Sequence, residues 1–401
     1  MSGVWLYLLG GINLAVGLYS LMAGARYLAY VRRYLSQAPR CKRDEPTVTL
    51  LVPCCGDEDG LEENLRALFR QDYPELDLVF IVESESDPAL PVIHGLLASE
   101  YRDARVITAG PAEARGQKVH NLLAGLEPFP ASEVLAFADS DVRPDSGWLA
   151  RLVEPLTPGG RQDATRSRAP VGVTTGYRFY LPEAGSFASI LRSVWNAGVL
   201  TLLGDHDHNF AWGGSMAIRG EVFRKAGIRK AWERSLSDDY ALTHAARRAG
   251  YRVEFLPSCL VGSAGSVSLR ELLRWCARQM AVTRIYWPNL WRIAGGSQVL
   301  FVAFMTAGTA AAIQGDTTTA VLLGAVLALG GVSGRLRARA VRLLVPRWEA
   351  PLGRYTWAYV LWLPLAGLLT FYAFCRSAVS RRIEWRGKTY EMRSPTETII
   401  L

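Results

Sequence analysis

Asp139 and Asp141 close an apolar run in "EVLAFADSDVRPD", with one serine between them. Two carboxylates so placed repel each other unless a cation lies between them. An Asp-rich turn at a strand end would account for the pair; so would a divalent-metal site holding a diphosphate. Three further acidic groups fall in similar places. Glu83, Glu85 and Asp87 lie in "VESESDPA", and Asp238 and Asp239 open a helical pattern in "SDDYALTHAARRAG". A weaker cluster joins Asp205 and Asp207 to His206 and His208, read as an acceptor-side loop. Taken singly, these are ordinary turn formers, or carboxylates favoured by a helix N-terminus. Taken together and in this order, they point to a site.

The chemistry such residues support is group transfer from a nucleoside diphosphate. A diphosphate leaving group needs neutralising, which Mg²⁺ or Mn²⁺ on one or two carboxylates does. A D-x-D turn can put one carboxylate on the ion and another on the ribose. Lys118 in "GQKVHNL" can add a point charge at the phosphates or the sugar. The acceptor hydroxyl must lose a proton to a base, and Asp239, with Asp238 beside it, stands at the mouth of a helix for that role.

The segments between these residues alternate in type. "TVTLLVP", "LDLVFIVE", "ARVITAG", "EVLAFADSD", "PVGVTTGYRFY" and "RVEFLP" read as strands. "LEENLRALFRQ" reads as an amphipathic helix with Leu61, Leu65, Leu68 and Phe69 on one face. Alternating strands and helices predict a Rossmann-like α/β domain over 44–265, with a mostly parallel sheet covered on both faces. Ligands of such sheets sit beyond the carboxyl ends of the strands, where the acidic groups fall. "TRSRAP", within 161–170, reads as an exposed loop, and Gly213–Gly214 as a place where backbone approaches a ligand or turns into a strand.

The flanks differ. Residues 1–25 carry no charge, and about 20 apolar residues cross a bilayer. Arg26, Arg32, Arg33, Arg40, Lys42 and Arg43 follow, which puts the next domain in the cytosol. Residues 266–295 form a basic, Trp-rich interfacial stretch. Residues 296–376 hold two spans and a last apolar segment, expected to be re-entrant or interfacial with a bend at Pro364. Residues 377–401 read as a basic cytosolic tail.

The chain has 401 residues and a net charge of +8, with arginines crowded beside apolar stretches. That favours a membrane surface over nucleic acid, for which no reading motif is present. Six cysteines without CxxC spacing suit free thiols in a reducing compartment.

With these motifs in hand, the chain resembles membrane glycosyltransferases of the GT-A fold, and most closely the ceramide glucosyltransferase family. The resemblance rests on "LVPCCGDEDGLEENLRALFRQDYP", "VESESDPA", "GQKVHNL", "ADSDVRPD", "GGSMAIR", "SDDYAL", "ELLRW" and "IEWRGKTY", in that order. It implies transfer of a hexose, usually from UDP-glucose, to a membrane lipid hydroxyl at the cytosolic face, with inversion. It further implies that Glu83 or Glu85 meets the uridine, that Asp139 and Asp141 hold metal and donor, and that Asp239 is the base. Arg274 and Trp275 match the family's Q/R-x-x-R-W motif, with Glu271 where Gln or Arg is expected. The rivals are a processive polysaccharide synthase of the same fold, for which three or four spans are few, and a nucleotide-binding membrane scaffold.

Overall fold

The computed structural model describes residues 2–37, 45–58, 60–157, 169–182, 185–263, 265–345 and 349–401. Most of "TRSRAP", together with Arg40, Cys41, Lys42 and Arg43, lies outside the described residues. The chain divides into an α/β unit (34–179, 203–263 and 384–401) and a helical unit (1–33, 180–202 and 264–383).

In the α/β unit a seven-stranded sheet has the order β3-β2-β1-β4-β6-β5-β7. Its strands are β1 (Val48–Pro53), β2 (Leu76–Val82), β3 (Ala104–Thr108), β4 (Val134–Ala138), β5 (Val171–Tyr180), β6 (Ser215–Arg219) and β7 (Arg252–Ser263). β3, β2, β1 and β4 are parallel. Central β1 and β4 are apolar along almost their whole length because helices cover both faces. β3 lies at the edge and is half-exposed; there Arg105 pairs with Asp77 of β2 at 2.5 Å. The helix Leu61–Phe69 buries Leu61, Leu65, Leu68 and Phe69, the face expected from their spacing.

β6 runs antiparallel to β4, with Ala138 opposite Ser215, and β5 runs antiparallel to β6. The start of β6 and the end of β5 therefore fall on the edge where the parallel strands have their carboxyl ends. The sequence had already marked that edge with acids; the reversal of β6 adds Gly213, Gly214 and Arg178 to it.

Residues 377–401, read as a basic tail, form a second sheet over most of their length. β8 (Arg382–Trp385), β9 (Lys388–Ser394) and β10 (Glu397–Ile400) are ordered β10-β9-β8. β8 and β9 are joined by Arg386 and Gly387, both with positive φ (52° and 74°). That is the backbone pattern of a type I′ hairpin turn. Tyr390 and Met392 on β9 are buried, so the sheet is packed rather than trailing.

In the helical unit three helices are long and apolar enough to cross a membrane: Ser2–Ser36, Pro288–Ile313 and Thr317–Leu344. The first continues beyond residue 25. Phe304, Leu323 and Val326 form a core against Leu9 and Leu14. Asn13 Nδ2 donates to Leu300 O at 3.3 Å, and the hydroxyls of Ser20 and Ser333 lie 3.1 Å apart. Small polar groups so placed bond helices together where water cannot. The last apolar segment is broken into Thr356–Leu361 and Leu363–Val379. The break falls at Trp362, ahead of Pro364, which sits in the first turn of the second helix. There its missing N–H costs no hydrogen bond.

The segment 180–202, which the sequence reading keeps within 44–265, packs with these helices. On its helix Phe187–Leu200, the Ser193 and Tyr359 hydroxyls are 2.6 Å apart and Trp195 Nε1 donates to Thr370 Oγ1 at 3.0 Å.

Candidate active site

Lys118 organises the acidic edge. It lies in the first turn of the helix Gln117–Gly125, which follows β3. Its Nζ is 2.7 Å from Asp139 Oδ1 and 3.0 Å from Asp238 Oδ2. Asp139 directly follows β4 and Asp238 begins the helix Asp238–Arg248. One ammonium thus joins carboxylates about a hundred residues apart in sequence. Arg178, from the end of β5, hydrogen-bonds Asp141 and lies 3.7 Å from Asp139 Oδ2.

These contacts set the charge states. Burial would raise the Asp139 carboxyl, but Lys118 and Arg178 outweigh it and hold the group below the usual carboxylate range. Asp238 has fewer compensating charges. Burial pushes it up to about 6; Lys118 restrains the rise, and Asp239 and Asp139 add to it. Lys118 is raised despite its burial, because Asp139, Asp238 and Asp239 all favour the ammonium.

Asp239 is held differently. Ser237 caps the helix by accepting from Tyr240 N and bonds Asp239 Oδ1 through its hydroxyl. Tyr240 N also donates to Asp239 Oδ1 at 2.7 Å, and Gly213 N donates to Oδ2 at 3.3 Å. Both carboxylate oxygens are therefore fixed. The glycines here are steric necessities. A Cβ on Gly213 would come within 2.3 Å of Asp238 Oδ2 and 2.6 Å of Lys118 Nζ, and one on Gly214 within 2.6 Å of Asp139 Oδ2. Nearby, Trp212 Nε1 is buried with no hydrogen-bond partner among the described residues.

The structure thus brings Lys118, Asp139, Asp141, Asp238 and Asp239 together. Glu83, after β2, pairs with Lys388 Nζ at 2.5 Å. Glu85 is exposed and accepts from Thr108 Oγ1 at 3.3 Å. Asp87 is buried and accepts from Gly56 N and Ala89 N, each at 2.9 Å, which fixes the loop after β1 to the loop after β2. The His206–His208 loop is stapled by Asn209, whose side chain bonds Gly204, His206 and Val253. It makes no metal-ligand cluster among the described residues.

Glu271, Arg274 and Trp275 belong to the helical unit. Glu271 forms a capping box with Ser268 at the start of the helix Leu269–Tyr286. Ser268 N donates to Glu271 Oε2 at 2.8 Å. That accounts for an acidic residue at this position, since both Glu and Gln close such a box. Trp275 stands edge-on to Tyr180 and Trp195, with ring centroids 5.1 and 5.0 Å away.

Sequence reasoning did not single out Arg178, Arg386 or Lys388. Arg178 interrupts an otherwise apolar strand end, "GYRFY", which was a usable signal. The R-G dipeptide between "IEW" and "KTYEM" was another, as a two-residue turn between strand-like runs.

The residues fit a divalent cation. Asp139 and Asp141 already flank a guanidinium, so their joint field holds positive charge. Mg²⁺ and Mn²⁺ sites on nucleotides commonly use one or two carboxylates and complete their shell with water and phosphate oxygens.

A mostly parallel sheet carrying this acidic edge is the GT-A glycosyltransferase fold. The chain belongs to glycosyl transferase family 21, whose model matches residues 12–398. It is 33% identical over 118 residues to a ceramide glucosyltransferase of Komagataella phaffii, covering 27% of this chain and 22% of that one. It is 28% identical over 79 residues to ceramide glucosyltransferase 1 of Caenorhabditis elegans, covering 20% and 17%. The matched stretch thus spans about a fifth of each relative. Among solved structures it is similar in fold to the mannosyltransferase PcManGT of Pyrobaculum calidifontis, in complex with GDP-Man and Mn²⁺. There the TM-score is 0.50 at 17% identity, over 90% of this chain and 98% of that one.

Proposed function

We propose that this glycosyltransferase moves a hexose, glucose in the first instance, from a UDP-sugar to a ceramide-like or other lipid hydroxyl at the cytosolic face of a membrane. The observation that carries the reading is the junction at Lys118. It places the D-x-D carboxylates beside the Asp238–Asp239 helix start, with Gly213 and Gly214 keeping the space between them free of side chains. The ceramide glucosyltransferase names of the relatives and the three long apolar helices support a lipid acceptor.

Asp239 takes the proton of the acceptor hydroxyl. Its oxygens are fixed by Gly213 N, Tyr240 N and Ser237, so the carboxylate needs no reorientation before it acts. The acceptor oxygen forms its bond to the anomeric carbon as the bond to the diphosphate oxygen breaks, in one displacement that inverts the centre. Lys118 lies where the departing negative charge accumulates. A divalent cation held by Asp139 and Asp141 would neutralise the diphosphate as it leaves. Glu83, after β2, lies at a strand end suited to the uridine.

The test is to incubate membranes containing the protein with radiolabelled UDP-glucose, UDP-galactose or GDP-mannose and to extract the lipids. A labelled lipid bearing one sugar is expected from a UDP-hexose, abolished by EDTA and restored by Mn²⁺ or Mg²⁺. Label confined to a water-soluble polymer would turn the reading to a polysaccharide synthase. Label from GDP-mannose alone would overturn the donor.

A further inference from the structure

The second sheet puts two cations where sequence reading expects only a tail. Arg386 occupies the first position of the β8–β9 turn with φ 52°, the only non-glycine residue with positive φ among the described residues. Gly or Asn adopts that conformation readily, whereas a long side chain in it is uncommon and worth a functional explanation. Its side chain pairs with Glu58, in the loop after β1. Glu58 Oε2 is buried with no hydrogen-bond partner among the described residues. Arg386 is also close enough to Asp141 for that charge to act on it.

Two residues further along, Lys388 Nζ lies 2.5 Å from Glu83 Oε1 and 2.9 Å from Gln117 Oε1. Tyr390, the next outward step on β9, accepts from Gln117 N through its hydroxyl at 3.3 Å. The hairpin therefore spans the ends of β1 and β2 and touches the residue that precedes Lys118.

We propose that this C-terminal hairpin is the cationic wall of the nucleotide site, with Arg386 binding the donor's diphosphate and Lys388 positioning Glu83 and Gln117 for the nucleoside. The inference rests on the donor reading above. Carboxylates outnumber cations along this edge, so an incoming diphosphate needs positive charge beyond Lys118. A planar guanidinium matches phosphate oxygens with two parallel donors. Arg386 can exchange Glu58 for phosphate without losing a charged partner.

The experiment measures binding of UDP and of uridine to the full-length protein in detergent by calorimetry, in wild type and in Arg386→Gly, Arg386→Lys and Lys388→Met. Arg386→Gly suits the turn's backbone, so loss of binding cannot be laid to a distorted hairpin. It should weaken UDP by about tenfold or more, the scale of one charge-assisted hydrogen bond, and leave uridine unchanged. Arg386→Lys should restore part of the loss. Lys388→Met should weaken both ligands alike. An unchanged UDP-to-uridine ratio in Arg386→Gly, or equal loss of both ligands, would overturn the diphosphate role. If wild type prefers GDP over UDP, the donor reading fails while the GDP-to-guanosine ratio still tests the hairpin. A wild type that binds diphosphate no better than nucleoside overturns both.

Discussion

Lys118→Met removes the charge that joins Asp139 to Asp238 while keeping most of the side-chain volume. The Lys118 side chain is 15% exposed and that of Asp238 5%. Removing one partner of a buried ion pair costs about 3–5 kcal/mol, because the other charge is left uncompensated. In a unit of about 150–250 residues each kcal/mol moves Tm by about 2–4 °C. The α/β unit should therefore melt on the order of 10 °C lower at pH 8. The deficit should also depend on pH, in a direction fixed by Asp238. Its folded pKa is about 6 against an ordinary 3.8. A raised carboxyl stabilises the fold fully only below its unfolded pKa and loses that contribution as pH rises through the folded value. From 3.8 to about 6, at 1.36 kcal/mol per pH unit, the contribution is about 3 kcal/mol. Without Lys118 the carboxyl rises further, above about 6, and is already protonated at pH 5, so the deficit should shrink there. Adding Asp238→Asn should recover most of the loss at pH 8, as a double-mutant cycle would show. Thermal unfolding of the purified protein, followed by circular dichroism at pH 5 and pH 8, is the assay. An equal deficit at both pH values, or no recovery in the double variant, would refute the electrostatic account of the junction.

Asp239→Asn should reduce turnover by about 10²–10⁴-fold, the usual scale of a lost general base, with nucleotide affinity nearly unchanged and Tm somewhat lowered, because the new amide nitrogen would face a backbone N–H of Gly213 or Tyr240; single-turnover lipid glycosylation checks it. Gly214→Ala should weaken Mn²⁺ binding, read by the paramagnetic resonance of free Mn²⁺, since the new Cβ would lie 2.6 Å from Asp139 Oδ2. Glu271→Gln should leave Tm unchanged because Gln also closes a capping box. Glu271→Ala should cost about 1 kcal/mol, as lost helix caps do; thermal unfolding separates the two.

What was legible in the sequence was the chemistry of strand ends. An unbroken apolar run must be a covered strand, and an acid placed just after it must emerge at one edge. So Asp139, Glu83 and the helix start at Asp238 could be assigned to a common edge before any coordinates. Glu271 could not be explained that way, because a capping box is satisfied locally and looks the same whether or not the helix takes part in chemistry. Arg178 escaped because an arginine in a strand shows its purpose only through the neighbour it faces. That neighbour is fixed by the antiparallel turn-back of β5 and β6, which single-segment patterns do not encode. Arg386 and Lys388 escaped for a third reason. A basic stretch after a membrane segment satisfies the charge rule for a cytosolic tail, and only the R-G turn between its two strand-like runs marks it as a hairpin.

The acids at this edge need cations beside them. A metal-diphosphate complex carries charge that changes as the nucleotide arrives and departs, whereas the carboxylates that receive it are permanent. Burial already pushes Asp238 up to about 6 even with Lys118 only 3.0 Å away, and Asp239 and Asp139 add to the rise, so carboxylates with no cation beside them would rise further. Lys118 and Arg178 hold Asp139 below the usual carboxylate range, Arg178 also hydrogen-bonds Asp141, and Arg386 pairs with Glu58. On that argument the arginines are the counterpart of the acids, and removing one should be felt most before the donor binds.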